Sequence, residues 1–343
     1  MNQKKNLRKI FALVFVIILA GLAAYLFLGK KSDEVQPLRL GWQPPWVNQG
    51  QVVEVFKNSD VLKKNNVQVQ FVPFTYGGPM TEAALAGNLD IIFAGDQPGI
   101  TLISKDPKWK IVARMVNYRS AIIVPKNAAI TSPEDLRGKK IATAFGSTTH
   151  RDLIRELRDA GLDPQNDVVL VNLDQAEHAS VISSGGGNSW SGVDAIATYD
   201  PTIAISVFKN NAKIIKEWLS PSVVAVKSSV LENREKEIVQ FLKSYMEAFS
   251  IYASSPSEYN KFYSADSRLE LPDSAYTIMA KFEPNMNAKN ISDVNILIDE
   301  ERQTLHQTNA DIAFSIGIIK NKVIIKDYIT NNFNEKAKGL LKK

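Results

Sequence analysis

The 343-residue chain contains no cysteine. That excludes a disulfide framework, thiolate catalysis and a lipid-modified N-terminal cysteine as a membrane tether. Histidine is scarce as well: only His150, His178 and His306 occur, far apart in the sequence. His150-Arg151-Asp152 lacks a ligand partner at helical spacing, so no metal site is predicted, and His150 reads as part of a helix start. No Gly-x-Ser-x-Gly elbow and no P-loop Lys-Ser/Thr is present, and the run Gly185-Gly186-Gly187 reads as a surface loop. Residues 1–31 lack any acid but hold Lys4, Lys5, Arg8, Lys9, Lys30 and Lys31. Those six account for the formal charge of +5, and the rest of the chain carries −1. A nucleic-acid partner is therefore not expected, and no cofactor motif stands out.

The basic residues bracket residues 10–28, IFALVFVIILAGLAAYLFL, which hold no charge. At 1.5 Å per residue the segment spans about 28 Å, close to the hydrocarbon thickness of a bilayer. A cleaved signal sequence is the competing reading, with Gly21-Leu22-Ala23 as its small-x-small site. The apolar run continues past that site, which favours a retained transmembrane anchor. The lysine-rich stub 1–9 then stays in the cytoplasm and everything beyond residue 32 lies outside it.

Alternating strand and helix patterns predict an α/β fold with a mostly parallel sheet. Strands are expected at 38–42, 67–71, 89–94, 109–116 and 120–124, with helices near 51–64, 80–86 and up to 104. The pattern restarts with strands at 140–145, 168–173 and 195–198, helices at 150–160 and 176–183, and a strand at 222–226. Beyond 233 the chain reads as mainly helical, at 235–254, 257–264, 273–281, 291–308 and 324–331. The densest stretch is 138–157, GKKIATAFGSTTHRDLIREL. It predicts a strand, a turn on Gly146, and a helix whose first turn carries Ser147, Thr148 and Thr149. Free N–H groups and a partial positive charge make such an end either an anion site or simply a capped helix. Ligands of open α/β sheets sit beyond the carboxyl ends of the strands. Here those ends collect Trp42-Gln43, Gly95-Asp96-Gln97, 117–120, 146–149 and Tyr199-Asp200.

Four phrases in order carry a resemblance: Gly41-Trp42-Gln43; Gly95-Asp96-Gln97-Pro98; Asp135-Leu136-Arg137-Gly138-Lys139-Lys140-Ile141-Ala142 followed by Gly146-Ser147-Thr148-Thr149-His150; and Val193-Asp194-Ala195 followed by Tyr199-Asp200-Pro201. The chain from about 38 to 332 resembles the substrate-binding proteins of ABC importers for nitrate, taurine and aliphatic sulfonates, with their thiamine-precursor relatives. The resemblance implies a bilobal type II periplasmic-binding fold. Lobe one would be 38–123 with 226–343, lobe two 124–225, and the strands 121–124 and 223–226 the hinge. It implies capture of a small anionic or zwitterionic solute between the lobes and delivery to permease and ATPase subunits. A membrane-tethered sensor, or an enzyme on the same fold of the pyrimidine-precursor or desulfinase kind, is the alternative; the missing cysteine argues against the enzymes.

On that footing Gly146, Ser147, Thr148 and Thr149 would donate to the acidic group of the solute. Arg119 would hold it in a bidentate contact or be a solvated strand-end arginine. Asp96 would accept from a ligand amine or cap a helix, and Asp200 would accept from an amine or tie down a turn. Gln43 offers hydrogen-bond readout, Gly95 and Gln97 flank Asp96, and Trp42 and Tyr199 are cleft walls or core. Tyr199 stands where the family usually has Trp. Trp46, in the unusual Gln43-Pro44-Pro45-Trp46, enters the cleft or packs beneath it.

Overall fold

A computed structural model of the chain describes residues 36–269 and 271–341. The apolar segment 10–28 and the stub before it lie outside the described residues. Among the described residues no helix is long and apolar enough to cross a membrane.

Two five-stranded sheets form the frame. The first is ordered β2-β1-β3-β10-β4, from β1 (Leu38–Trp42), β2 (Val69–Pro73), β3 (Ile91–Gly95), β4 (Trp109–Arg114) and β10 (Ser222–Lys227). The second is ordered β7-β6-β8-β5-β9, from β5 (Tyr118–Pro125), β6 (Lys140–Thr143), β7 (Val169–Asn172), β8 (Ala195–Tyr199) and β9 (Ala212–Ser220). Pairing is parallel except around one strand in each sheet: β10 runs antiparallel to β3 and β4, and β5 runs antiparallel to β8 and β9. Each reversed strand is the one that has just crossed from the other sheet, so the all-parallel tendency of local βαβ units stops there.

The crossings lie at 115–117 and at Pro221, outside any strand. They run side by side: Met115 N–H donates to Ser222 O (3.0 Å) and Val116 N–H to Ser222 Oγ (2.9 Å). The change of sheet thus comes several residues before the expected 123/124 and 225/226. The stretch 121–124 lies wholly inside the second sheet and 223–226 wholly inside the first. Alternating burial could not reveal this, because both strands are buried on both faces wherever they sit.

Both sheets are sandwiched by helices. Ile91 and Phe93 point to a core with Phe241, Tyr245 and Phe249 of the helix Glu235–Ser254, while Ile92 and Ala94 point to Leu102, Ile103 and Ala310. Ile122 and Ala197 pack on Leu153 and Leu157, and Ile123 and Ile196 pack on Ile182 and Ile203. This explains why β3 reads as an unbroken apolar run.

Three elements depart from the pattern reading. β9, AKIIKEWLS, is a long edge strand that alternation missed, because the exposed pair Lys216-Glu217 interrupts its apolar residues. The helix expected at 291–308 is a short 3-10 turn, Ile291–Asp293, followed by Glu300–Ser315, started by Asp299 accepting from Arg302 N–H (3.0 Å). The last helix is Asn332–Leu341, not 324–331.

Candidate functional site

The helix Thr148–Asp159 starts as its sequence suggests. Gly146 takes φ +79°, a left-handed conformation that suits glycine, and Ser147 Oγ accepts from His150 N–H (3.1 Å) as the N-cap. Gly146 N–H donates to His150 Nδ1 (3.2 Å), and Phe145 stacks on the imidazole at 4.7 Å. Burial pushes the His150 pKa down to about 4, so the ring stays neutral and keeps that acceptor. Thr149 Oγ1 shares a hydrogen bond with Ser120 Oγ (3.1 Å), which ties the helix start to β5.

Across from this helix start stands the end of β3, in the other lobe. Asp96 opens the helix Asp96–Lys105, and its Oδ1 accepts from Thr148 Oγ1 (3.1 Å) and Arg151 Nη1 (2.9 Å). Its Oδ2 accepts from Asn309 Nδ2 (2.6 Å), and His306 Nδ1 lies 3.5 Å away. Gln97 N–H donates to Thr148 Oγ1 (3.1 Å). Arg151 also donates through Nε and Nη2 to Asp152 Oδ1 (3.0 and 2.7 Å), and Asp152 Oδ2 accepts from Trp218 Nε1 (2.9 Å) and Ser220 Oγ (3.0 Å). Burial by itself would raise the Asp96 pKa; the Arg151 charge, helped by His306 and Asn309, outweighs it and holds the carboxyl far below the usual carboxylate range. The approach is close at the backbone: a Cβ on Gly95 would overlap Thr148 Oγ1 and stand 3.0 Å from the Tyr118 hydroxyl.

Arg119 and Asp200 find each other. The guanidinium donates through Nε and Nη2 to the two carboxylate oxygens, both at 2.9 Å, and Asp200 Oδ1 also accepts from Ala204 N–H (3.1 Å) at the helix Thr202–Phe208. Burial raises the Asp200 pKa, and Arg119 offsets this only in part. The face of the guanidinium lies 5.2 Å from the Phe282 ring of the first lobe.

The aromatic residues divide. Trp42 packs in the first lobe's core, with Lys57 Nζ 4.4 Å over its ring. Gln43 is tied inside that lobe, its N–H to Gln49 Oε1 and its Nε2 to Phe93 O (3.4 Å). Trp46 instead reaches the second lobe: its ring lies 4.3 Å from Tyr118 and 6.3 Å from Tyr199, and Tyr118 lies 5.7 Å from Tyr199.

The structure therefore brings together Gly95, Asp96, Gln97 and Thr148, with Tyr199 beside them through Tyr118 and Trp46. It places Trp42 and Gln43 within one lobe and commits Arg119 and Asp200 to each other. Sequence reasoning missed Arg151, Asp152, Asn309, Trp218, Ser220 and the role of Tyr118. Only Arg151-Asp152 carried a signal, as a charged pair in the first turn of an apolar-faced helix.

The comparisons agree with this fold. A family model described as "ABC transporter, phosphonate, periplasmic substrate-binding protein" matches residues 58–184. A protein of Bacillus subtilis (strain 168), named for aliphatic-sulfonate binding, is 28% identical over 98% of this chain and 97% of its own length. The taurine-binding periplasmic protein of Escherichia coli (strain K12) is 24% identical over 71% of this chain and 74% of its own. The alkanesulfonate-binding protein SsuA of Xanthomonas axonopodis pv. citri, solved with MOPS, superimposes with TM-score 0.71 at 18% identity, covering 87% of this chain and 99% of that one. A Cys-to-Ser mutant of DszB in complex with biphenyl-2-sulfinic acid shares the fold at TM-score 0.64 and 14% identity, over 89% of this chain and 100% of its own. Over nearly its whole length the chain is thus similar to sulfonate-binding proteins, and it shares the periplasmic-binding-protein fold.

Proposed function

We propose that this chain captures a small organic oxyanion, a sulfonate in the first instance, between its two lobes and releases it unchanged to permease and ATPase subunits. The observation that carries this reading is the meeting of strand ends: the helix start after β6 in one lobe faces the end of β3 in the other, about a pair of side-by-side crossings. Such a frame closes on a solute by rotation at the crossings. Arg119 and Arg151 are already held by carboxylates. The solute's charge is therefore met by neutral donors: helix-start N–H groups, hydroxyls and an indole. Binding without chemistry is favoured because the chain lacks the cysteine that a desulfinase-like enzyme would use. We further propose that the apolar segment 10–28 is retained and holds the lobes outside the cytoplasm.

The test is mass spectrometry of solute copurifying with the full-length protein, followed by a thermal-shift panel of organosulfonates, phosphonates, carboxylates and sulfate. A saturable rise in melting temperature with a sulfonate, recovered intact, supports the proposal. No shift across the panel, or recovery of an altered product, sinks it. Retention of the stub 1–9 in carbonate-washed membranes checks the anchor; a mature N-terminus near residue 24 would refute it.

A further inference from the structure

We propose that the Trp46 indole N–H and the Tyr199 hydroxyl, one from each lobe, are the donors that grip the solute's oxyanion head. This rests on the sulfonate reading above and assigns it two residues. Trp46 is 2% exposed and Tyr199 6%, yet neither Trp46 Nε1 nor Tyr199 OH has a hydrogen-bond partner among the described residues. Buried donors in folded proteins are nearly always satisfied, so two orphans in one contact call for an acceptor from elsewhere. Ten other buried side-chain polar atoms of the described residues also lack partners, Trp42 Nε1, Trp109 Nε1 and Tyr245 OH among them, but those three donors all lie within the first lobe. Trp46 and Tyr199 come from opposite lobes, and their rings meet edge-on at 6.3 Å.

Tyr118, which touches both rings, makes a useful contrast. Its hydroxyl interacts with Thr148, so it is satisfied within the protein. Within this trio of rings the missing acceptor is confined to Trp46 and Tyr199. An indole N–H can only donate, which requires an acceptor atom on the solute. Burial raises the Tyr199 pKa well above its ordinary value, which keeps the phenol protonated as a donor. The guanidiniums at the contact are consumed by Asp96, Asp152 and Asp200, so no competing cation would draw the head away. A sulfonate has three oxygens and can accept from both lobes at once. Part of the closure energy would then come from the solute itself.

The experiment measures calorimetric affinity of the full-length protein for 1-butanesulfonate, taurine and MOPS, using the tightest of the three for the variants. Trp46→Phe and Tyr199→Phe keep the rings and delete the donors. Each should weaken affinity at least about fivefold, and both together about twentyfold or more. Neither should melt lower without sulfonate, since no protein bond is lost. Affinity within about twofold in both single variants overturns the assignment and leaves the sulfonate reading intact. Phe variants that melt several degrees lower without sulfonate also overturn it, because the donors would then have partners in the protein. Failure of the unmodified protein to bind any of the three overturns the sulfonate reading itself, and this assignment with it.

Discussion

Arg151 Nη1 lies 2.9 Å from Asp96 Oδ1, and the two side chains, each 1% exposed, belong to different lobes. The bond is a fully buried strut between elements of the two sheets. Removing one partner from such a pair commonly costs about 3–5 kcal/mol, because the other charge is left buried. Here Arg151 keeps Asp152, so the expected cost is smaller, about 1–3 kcal/mol. Asp96→Asn should therefore lower the melting temperature and, because the strut spans two lobes, enlarge the particle in solution scattering. An unchanged radius and an unchanged melting temperature would show that the lobes are held elsewhere.

Gly95 should not tolerate a methyl group. Its φ of −55° suits alanine, so the penalty comes only from the opposite lobe, where the new Cβ meets Thr148 Oγ1. Gly95→Ala is expected to cost about 1–3 kcal/mol by overpacking. Adding Thr148→Ala should recover part of that loss, so the two changes are strongly non-additive. Strict additivity in thermal or denaturant unfolding would mean that the two residues are not in contact.

Ser147 and Thr148 should separate in their effects. The Ser147 hydroxyl is used by His150 N–H, so Ser147→Ala should cost about 1 kcal/mol of stability and change sulfonate affinity by less than about twofold. The Thr148 hydroxyl bonds directly to Asp96 and Gln97 of the other lobe, so its loss should alter the lobe contact. Calorimetry beside unfolding without sulfonate reads both. A tenfold loss of affinity in Ser147→Ala would instead make the cap a ligand donor.

Stability should fall between pH 7 and 4 partly through His178. Burial depresses its pKa from 6.5 to about 4. As pH drops below 6.5 the unfolded chain takes up a proton that the folded ring refuses until about pH 4, so the folded state loses ground. At about 1.4 kcal/mol per pH unit this side chain accounts for about 3 kcal/mol across that window. His178→Gln should flatten the curve there, and denaturant titrations of both proteins at several pH values give the difference. Parallel curves would remove His178 from the acid response.

The residues by themselves determined the class of the molecule. Apolar strand runs closed by Gly-Asp and Gly-Ser phrases specify α/β units, and the Gly146–Ser147 turn and cap are local chemistry that needs no partner. What lay beyond reach was long-range. The reversal of β5 and β10, and hence the position of the crossings, depends on which sheet each strand joins, and a strand buried on both faces carries no mark of its neighbour. Arg119 looked available for an anion until Asp200, 81 residues away, was found to hold it. Arg151 looked like an ordinary charged helix position until Asp96, 55 residues away, proved to hold it. Trp42 and Trp46, four residues apart, end in one buried apolar cluster, yet past the break at Pro44-Pro45 it is Trp46 that meets Tyr118 and Tyr199. Local propensity is written in neighbouring residues, whereas the pairing of charges and the direction of a ring are decided only when distant segments share the same low-dielectric space.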